Sequence, residues 1–141
     1  MQAYAEVYTR TEYKEDKDMT TLKITTRRSG PVVIADLEGQ IRIGETNINL
    51  HKAVHELVAG GERKVLLNLA NVTHIDSSGL GELVAGHATL EKNDGEMKLL
   101  NLTERVSELM MITKLLTVFD VFENEAEAVA SFDQAAGTAR A

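Results

Sequence analysis

Beyond residue 19 the apolar positions fall into short runs of two periods. Thr21 to Thr26 and Val32 to Leu37 are rich in β-branched residues and predict two strands. Ser29-Gly30-Pro31 between them predicts a turn, with the single proline at a strand start, where its missing N–H is tolerated. The pair reads as a hairpin at a sheet edge. A polar, glycine-containing loop follows, from Glu38 to Glu45. Leu50, Ala53, Val54, Leu57 and Val58 then recur at helical spacing and predict a helix from Thr46 to Ala59, ended by Gly60-Gly61. Lys64 to Leu69 is nearly all apolar, the pattern of a parallel strand covered on both faces. Leu80, Leu83, Val84, His87 and Leu90 predict a helix from Asp76 to Lys92. Asn93-Asp94-Gly95 is a turn, and Met97 to Leu100 another strand. Thr103 has cap chemistry for a helix burying Val106, Leu109 and Met110, with Met111 read as core filling as well. Val118 to Phe122 reads as the final strand. Asn124-Glu125-Ala126-Glu127 opens a last helix with Ala126, Val129 and Phe132 inward.

Strand, strand, helix and then three strand–helix units imply an α/β domain. The sheet is mostly parallel, of about five strands, with an N-terminal edge hairpin, about four helices and right-handed crossovers. The domain is set at residues 20–134. Residues 1–19 hold all three tyrosines (Tyr4, Tyr8, Tyr13) and a charged run from Glu12 to Asp18. They read as an arm outside the core, loose as termini usually are. A sharper reading has Tyr4 and Tyr8, four apart, anchoring a short helix. Residues 135–141 are small and polar, and read as a tail.

Charge and composition narrow the functions. The chain has 141 residues, no cysteine and a net charge of −7. Disulfides and thiolate metal sites are excluded, and a reducing cytoplasm fits. Acidity with few aromatics disfavours nucleic acid and anionic membranes as partners. No apolar run approaches the roughly 18 residues of a membrane helix, and the N-terminus lacks signal-peptide character.

The chemistry concentrates in Val72 to Gly81, Val-Thr-His-Ile-Asp-Ser-Ser-Gly-Leu-Gly, at a strand-to-helix turn. A helix N-terminus offers unpaired N–H groups and partial positive charge, which suit a phosphate on a ligand or on the protein itself. A plain cap with glycines that let helix and sheet approach accounts for the same residues. A dinucleotide fingerprint fails: Gly79-Leu80-Gly81 is followed by Glu82, Leu83 and Val84, with no third glycine, and the next strand ends at Asn101 without an acid. The phosphate-loop lysine and the G-x-S-x-G elbow are absent too. His51 and His55 are four apart on a helix, but the H-E-x-x-H pattern and a third ligand are missing. They read as solvated or half-buried side chains.

Ile75-Asp76-Ser77-Ser78-Gly79-Leu80-Gly81 resembles the signature of the STAS domain, and more narrowly that of the bacterial anti-sigma factor antagonists. The resemblance runs from Thr21 to Phe132 and includes Val65 to Leu69, Gly95 to Leu99 and Leu116 to Phe122. It implies a STAS-type single domain and a protein that is not an enzyme, with no cofactor or metal of its own. The implied partner is an anti-sigma factor that is also a serine kinase of the Bergerat ATPase fold. The kinase phosphorylates the serine after the aspartate, here Ser77, and the complex then falls apart. A metal-dependent serine phosphatase resets the switch. Asp76, Ser77, Ser78, Gly79 and Leu80 would form the partner-binding turn, beside Gly39, Gln40, Ile41 and Arg42 of the preceding loop. The family's loop often reads Gly-acid-Leu-Asp, so Arg42 stands where the aspartate would be, and the loop is about one residue longer before the helix. The rival classes are a non-phosphorylated STAS scaffold in a signalling or lipid-transport assembly, and a small-molecule or nucleotide binder. The absence of an N-terminal sensor domain speaks against the signalling scaffold.

Overall fold

The computed structural model describes residues 22–41 and 48–134. The expectations for the arm at 1–19, for Thr21, for Arg42 and the rest of the loop to residue 47, and for the tail at 135–141 lie outside the described residues. The hairpin is formed by β1 (Leu22–Ser29) and β2 (Val32–Ile41), antiparallel with Ser29 opposite Val32. Gly30 takes the left-handed conformation, φ 60°, that this two-residue connection needs. Then come α1 (Ile48–Ala59), β3 (Lys64–Ile75), α2 (Ser77–Lys92), β4 (Glu96–Leu100), α3 (Glu104–Ile112), β5 (Val121–Phe122) and α4 (Glu125–Gln134). A short 3-10 turn, Leu115–Thr117, precedes β5.

The sheet order is β1-β2-β3-β4-β5, parallel from β2 onward. With strands added in one direction, right-handed crossovers put successive helices on one face. That is the arrangement seen. Leu50, Ala53 and Val54 of α1, Leu80, Leu83 and Leu90 of α2, and Val106 and Met110 of α3 share a core with Ala35, Leu37, Val65, Leu67 and Leu99. Among the described residues only α4 covers the other face, where Ala128 and Phe132 meet Val32, Ile34, Leu66 and Leu100.

Several boundaries move for stated reasons. β2 runs on to Ile41 rather than ending at Leu37, and β3 runs on to Ile75 rather than Leu69. The extra lengths pair with each other, Gly39 with Val72, Gln40 with His74 and Ile41 with Ile75, across two register shifts that break the alternation a strand is recognised by. The final strand contracts from Val118–Phe122 to Val121–Phe122, because the 3-10 turn ends on Val118 in a helical conformation, φ −83° and ψ −33°, and the chain reaches β4 only at Leu99 and Leu100. Met111 is 59 % exposed and so is not core filling; Met110 points inward and its neighbour is turned about 100° away. In α4 the inward residues are Ala128, Val129 and Phe132, and Ala126 is exposed.

Candidate functional site

β3 ends at Ile75 and α2 begins at Ser77, so Asp76 is the residue between. Its backbone is extended, φ −119° and ψ −177°, and its Oδ1 accepts the Gly79 N–H at 2.8 Å. The Leu80 N–H donates to the Asp76 carbonyl at 3.0 Å and starts the helix. Asp76 is therefore the N-cap of α2, a role its side chain fills because it supplies an acceptor for a first-turn N–H that has no helical partner.

Ser77 and Ser78 follow as the first two residues of α2, and both are exposed. Gly79 and Leu80 turn inward; Leu80 is 2 % exposed and sits in the main core. The two glycines differ. A Cβ at Gly79 would lie 2.7 Å from the Ile41 carbonyl carbon and closer still to its oxygen, whereas a Cβ at Gly81 would meet nothing within 4 Å. Gly79 is the point where α2 presses on the end of β2, and only a residue without a side chain fits there. The same Ile41 carbonyl accepts the Asp76 N–H at 3.4 Å.

That contact brings the two predicted segments together. Gly39, Gln40 and Ile41 form the end of β2, beside the Asp76–Ser78 turn at the end of β3. Thr73, at the register shift, donates its hydroxyl to the Gly39 carbonyl at 3.1 Å, and Gly39 has φ 117°. Gly39 and Gln40 are half-buried. The sequence reading groups Ile41, Gly79 and Leu80 with the partner-facing residues; the structure buries all three, so they bring position and backbone rather than side chains to the surface. Arg42 lies outside the described residues.

Glu82 escapes a reading of the sequence focused on the glycines. Its Oε1 accepts the backbone N–H of His51 at 3.3 Å, tying α2 to the first turn of α1. The available signal was an acid four residues after Ser78. The His51 and His55 rings meet edge to face, centroids 5.3 Å apart. Among the described residues no group of three or more His, Cys, Asp or Glu side chains converges as metal ligands would.

The site is thus an exposed serine pair at the capped start of a helix, on the carboxyl edge of a mostly parallel sheet. The chain belongs to the STAS domain family, whose model matches residues 23–128. It is 38 % identical over 63 residues to the anti-sigma-B factor antagonist of Staphylococcus aureus, a match that takes in 45 % of this chain. The chain spans 58 % of that relative's length. An anti-sigma factor antagonist from Mycobacterium paratuberculosis has a similar fold, with a TM-score of 0.69 at 18 % identity over 81 % of this chain and 96 % of the other. The Bacillus cell fate determinant SpoIIAA in its phosphorylated form superposes with a TM-score of 0.60 at 18 % identity, over 77 % and 97 % of the two chains.

Proposed function

We propose that this chain is an anti-sigma factor antagonist working by partner switching. Unphosphorylated, it binds an anti-sigma factor that is also a serine kinase of the Bergerat ATPase fold, and the sigma factor is set free. The kinase then phosphorylates Ser77 and the complex separates. A metal-dependent serine phosphatase restores the binding form. The chain is the substrate in this cycle and supplies no catalysis. No helix among the described residues is long and apolar enough to cross a membrane, which fits a cytoplasmic regulator.

The observation that carries this reading is the placement of Ser77: exposed, first in α2, directly after the capping Asp76. In the transfer step the Ser77 oxygen bonds to the γ-phosphorus of ATP. The bond from that phosphorus to the bridging oxygen breaks, ADP leaves, and the hydroxyl proton passes to a base on the kinase. The product carries about −1.5 to −2 charge at the end of a helix whose dipole favours anions, so the antagonist stays folded. The penalty falls on the complex, where a bulky anion meets a packed surface beside Asp76. About 3 kcal/mol lost there weakens binding roughly a hundredfold.

A free nucleotide or small anion is a poorer fit. Its place at the helix end is contested by the tethered Asp76 carboxylate, which already takes the Gly79 N–H. Incubation with ATP and the cognate kinase tests the proposal. One phosphate, mapped to Ser77 by mass spectrometry, supports it. A phosphate elsewhere, or none, favours a non-phosphorylated scaffold, and thermal stabilisation by millimolar nucleotide alone would favour a ligand-binding module.

A further inference from the structure

Ser77 and Ser78 are adjacent and both exposed, so access alone does not choose between them. The difference lies one turn further along α2, where residues four apart have Cβ atoms about 5–6 Å from each other. Ser77 stands over Gly81, around which an added Cβ would find open space. Ser78 stands over Glu82. That carboxylate is not free to swing away, because its Oε1 holds the His51 N–H at 3.3 Å. His51 lies in the first turn of α1, the end of the helix that carries partial positive charge. The positive end of α1 thus fixes a negative group beneath Ser78. Asp76, the other acid at the turn, has Oδ1 engaged by the Gly79 N–H.

We propose that Glu82 is a specificity-determining residue that reserves phosphate for Ser77. On Ser78 the phosphate dianion would face a carboxylate pinned at i+4, and like charges at that spacing destabilise a helix. On Ser77 it lies over Gly81 and solvent. The kinase arm of the test rests on the partner-switch reading; the thermal arm does not.

For the thermal arm, phosphoserine is installed by site-specific incorporation at position 77 or 78 of the full chain, with Glu82 or with Glu82→Gln. Glutamine keeps an acceptor oxygen for His51, so the tie between α1 and α2 survives. The phosphoserine-78 protein should melt about 2 °C or more below the phosphoserine-77 protein at low salt. The gap should at least halve in the E82Q pair, and shrink in about 0.5 M salt as screening sets in. Equal melting temperatures, or a gap that E82Q leaves unchanged, overturn the proposal. For the kinase arm, Ser77→Ala should take phosphate at Ser78 only slowly, and S77A/E82Q should take it there roughly two- to fivefold faster than S77A. Phosphorylation of S77A at Ser78 as fast as the wild type at Ser77 overturns the proposal, and so does an inert double variant. A wild-type chain that takes no phosphate counts against partner switching instead, and the melting comparison then decides the role of Glu82.

Discussion

Alanine at position 79 would drive a methyl group into the Ile41 carbonyl, and alanine at position 81 would touch nothing. The pair therefore separates packing from propensity within one helix. Gly79→Ala should lower stability by about 2 kcal/mol or more, because backbone rather than a flexible side chain must give way. Gly81→Ala should raise it by about 0.5–1 kcal/mol, the helix preference of alanine over glycine. Denaturant titration of both variants checks this, and a destabilised G81A or an unaffected G79A would contradict the packing described. Asp76 belongs to the same scale. Asp76→Ala should cost about 1 kcal/mol through loss of the cap, and Asp76→Asn very little, since the amide oxygen can still accept from Gly79. Equal losses in the two variants would mean that charge, not the cap, is what Asp76 supplies.

Among the described elements, α4 is the one helix on its face of the sheet, and polar contacts secure both of its ends. Arg27 of β1 donates to both Asp36 oxygens, at 2.7 and 3.1 Å, and to both Glu125 oxygens at 2.9 Å. Asn68 donates to Asp36 at 2.8 Å, which extends the link into β3. At the other end, buried Lys98 donates to the Ser131 hydroxyl at 3.0 Å and lies 4.8 Å from the centre of the Phe132 ring. The Arg27 hydrogen bond holds the Glu125 carboxyl below its ordinary value of 4.5. A depressed carboxylate contributes stability above its unfolded pKa and loses it as pH falls through the folded value. The wild type should therefore lose more stability than Glu125→Gln below about pH 4.5, by less than about 1 kcal/mol for so exposed a pair. Superimposable acid unfolding curves would show that the contact is not formed in solution. Little of this was legible in the sequence. Arg27, Asp36, Asn68 and Glu125 come from four elements and carry no local pattern, whereas the capping residues Asp76, Thr103 and Asn124 were readable because their partners lie three residues on. The ends of β2 and β3 were obscured because their register shifts erase the two-residue period. The cores of both strands were plain, because Val32–Ala35 and Val65–Leu67 are apolar throughout and buried.

In the whole molecule, three crossover helices on one face bring the end of β2, the start of α1 and the start of α2 to one edge of the sheet. The Ile41 carbonyl joins the first to the third, and Glu82 joins the third to the second. A partner that docks on this edge meets a surface already assembled, so a single phosphate can act by charge at the contact without a rearrangement of the fold. The most direct measurement is the affinity of the cognate anti-sigma kinase for the unmodified chain, for Ser77→Ala and for the chain phosphorylated at Ser77. The account predicts that the first two bind alike and that the phosphorylated form binds roughly a hundredfold more weakly, with melting temperature nearly unchanged. Equal affinity for the phosphorylated and unmodified chains would contradict it.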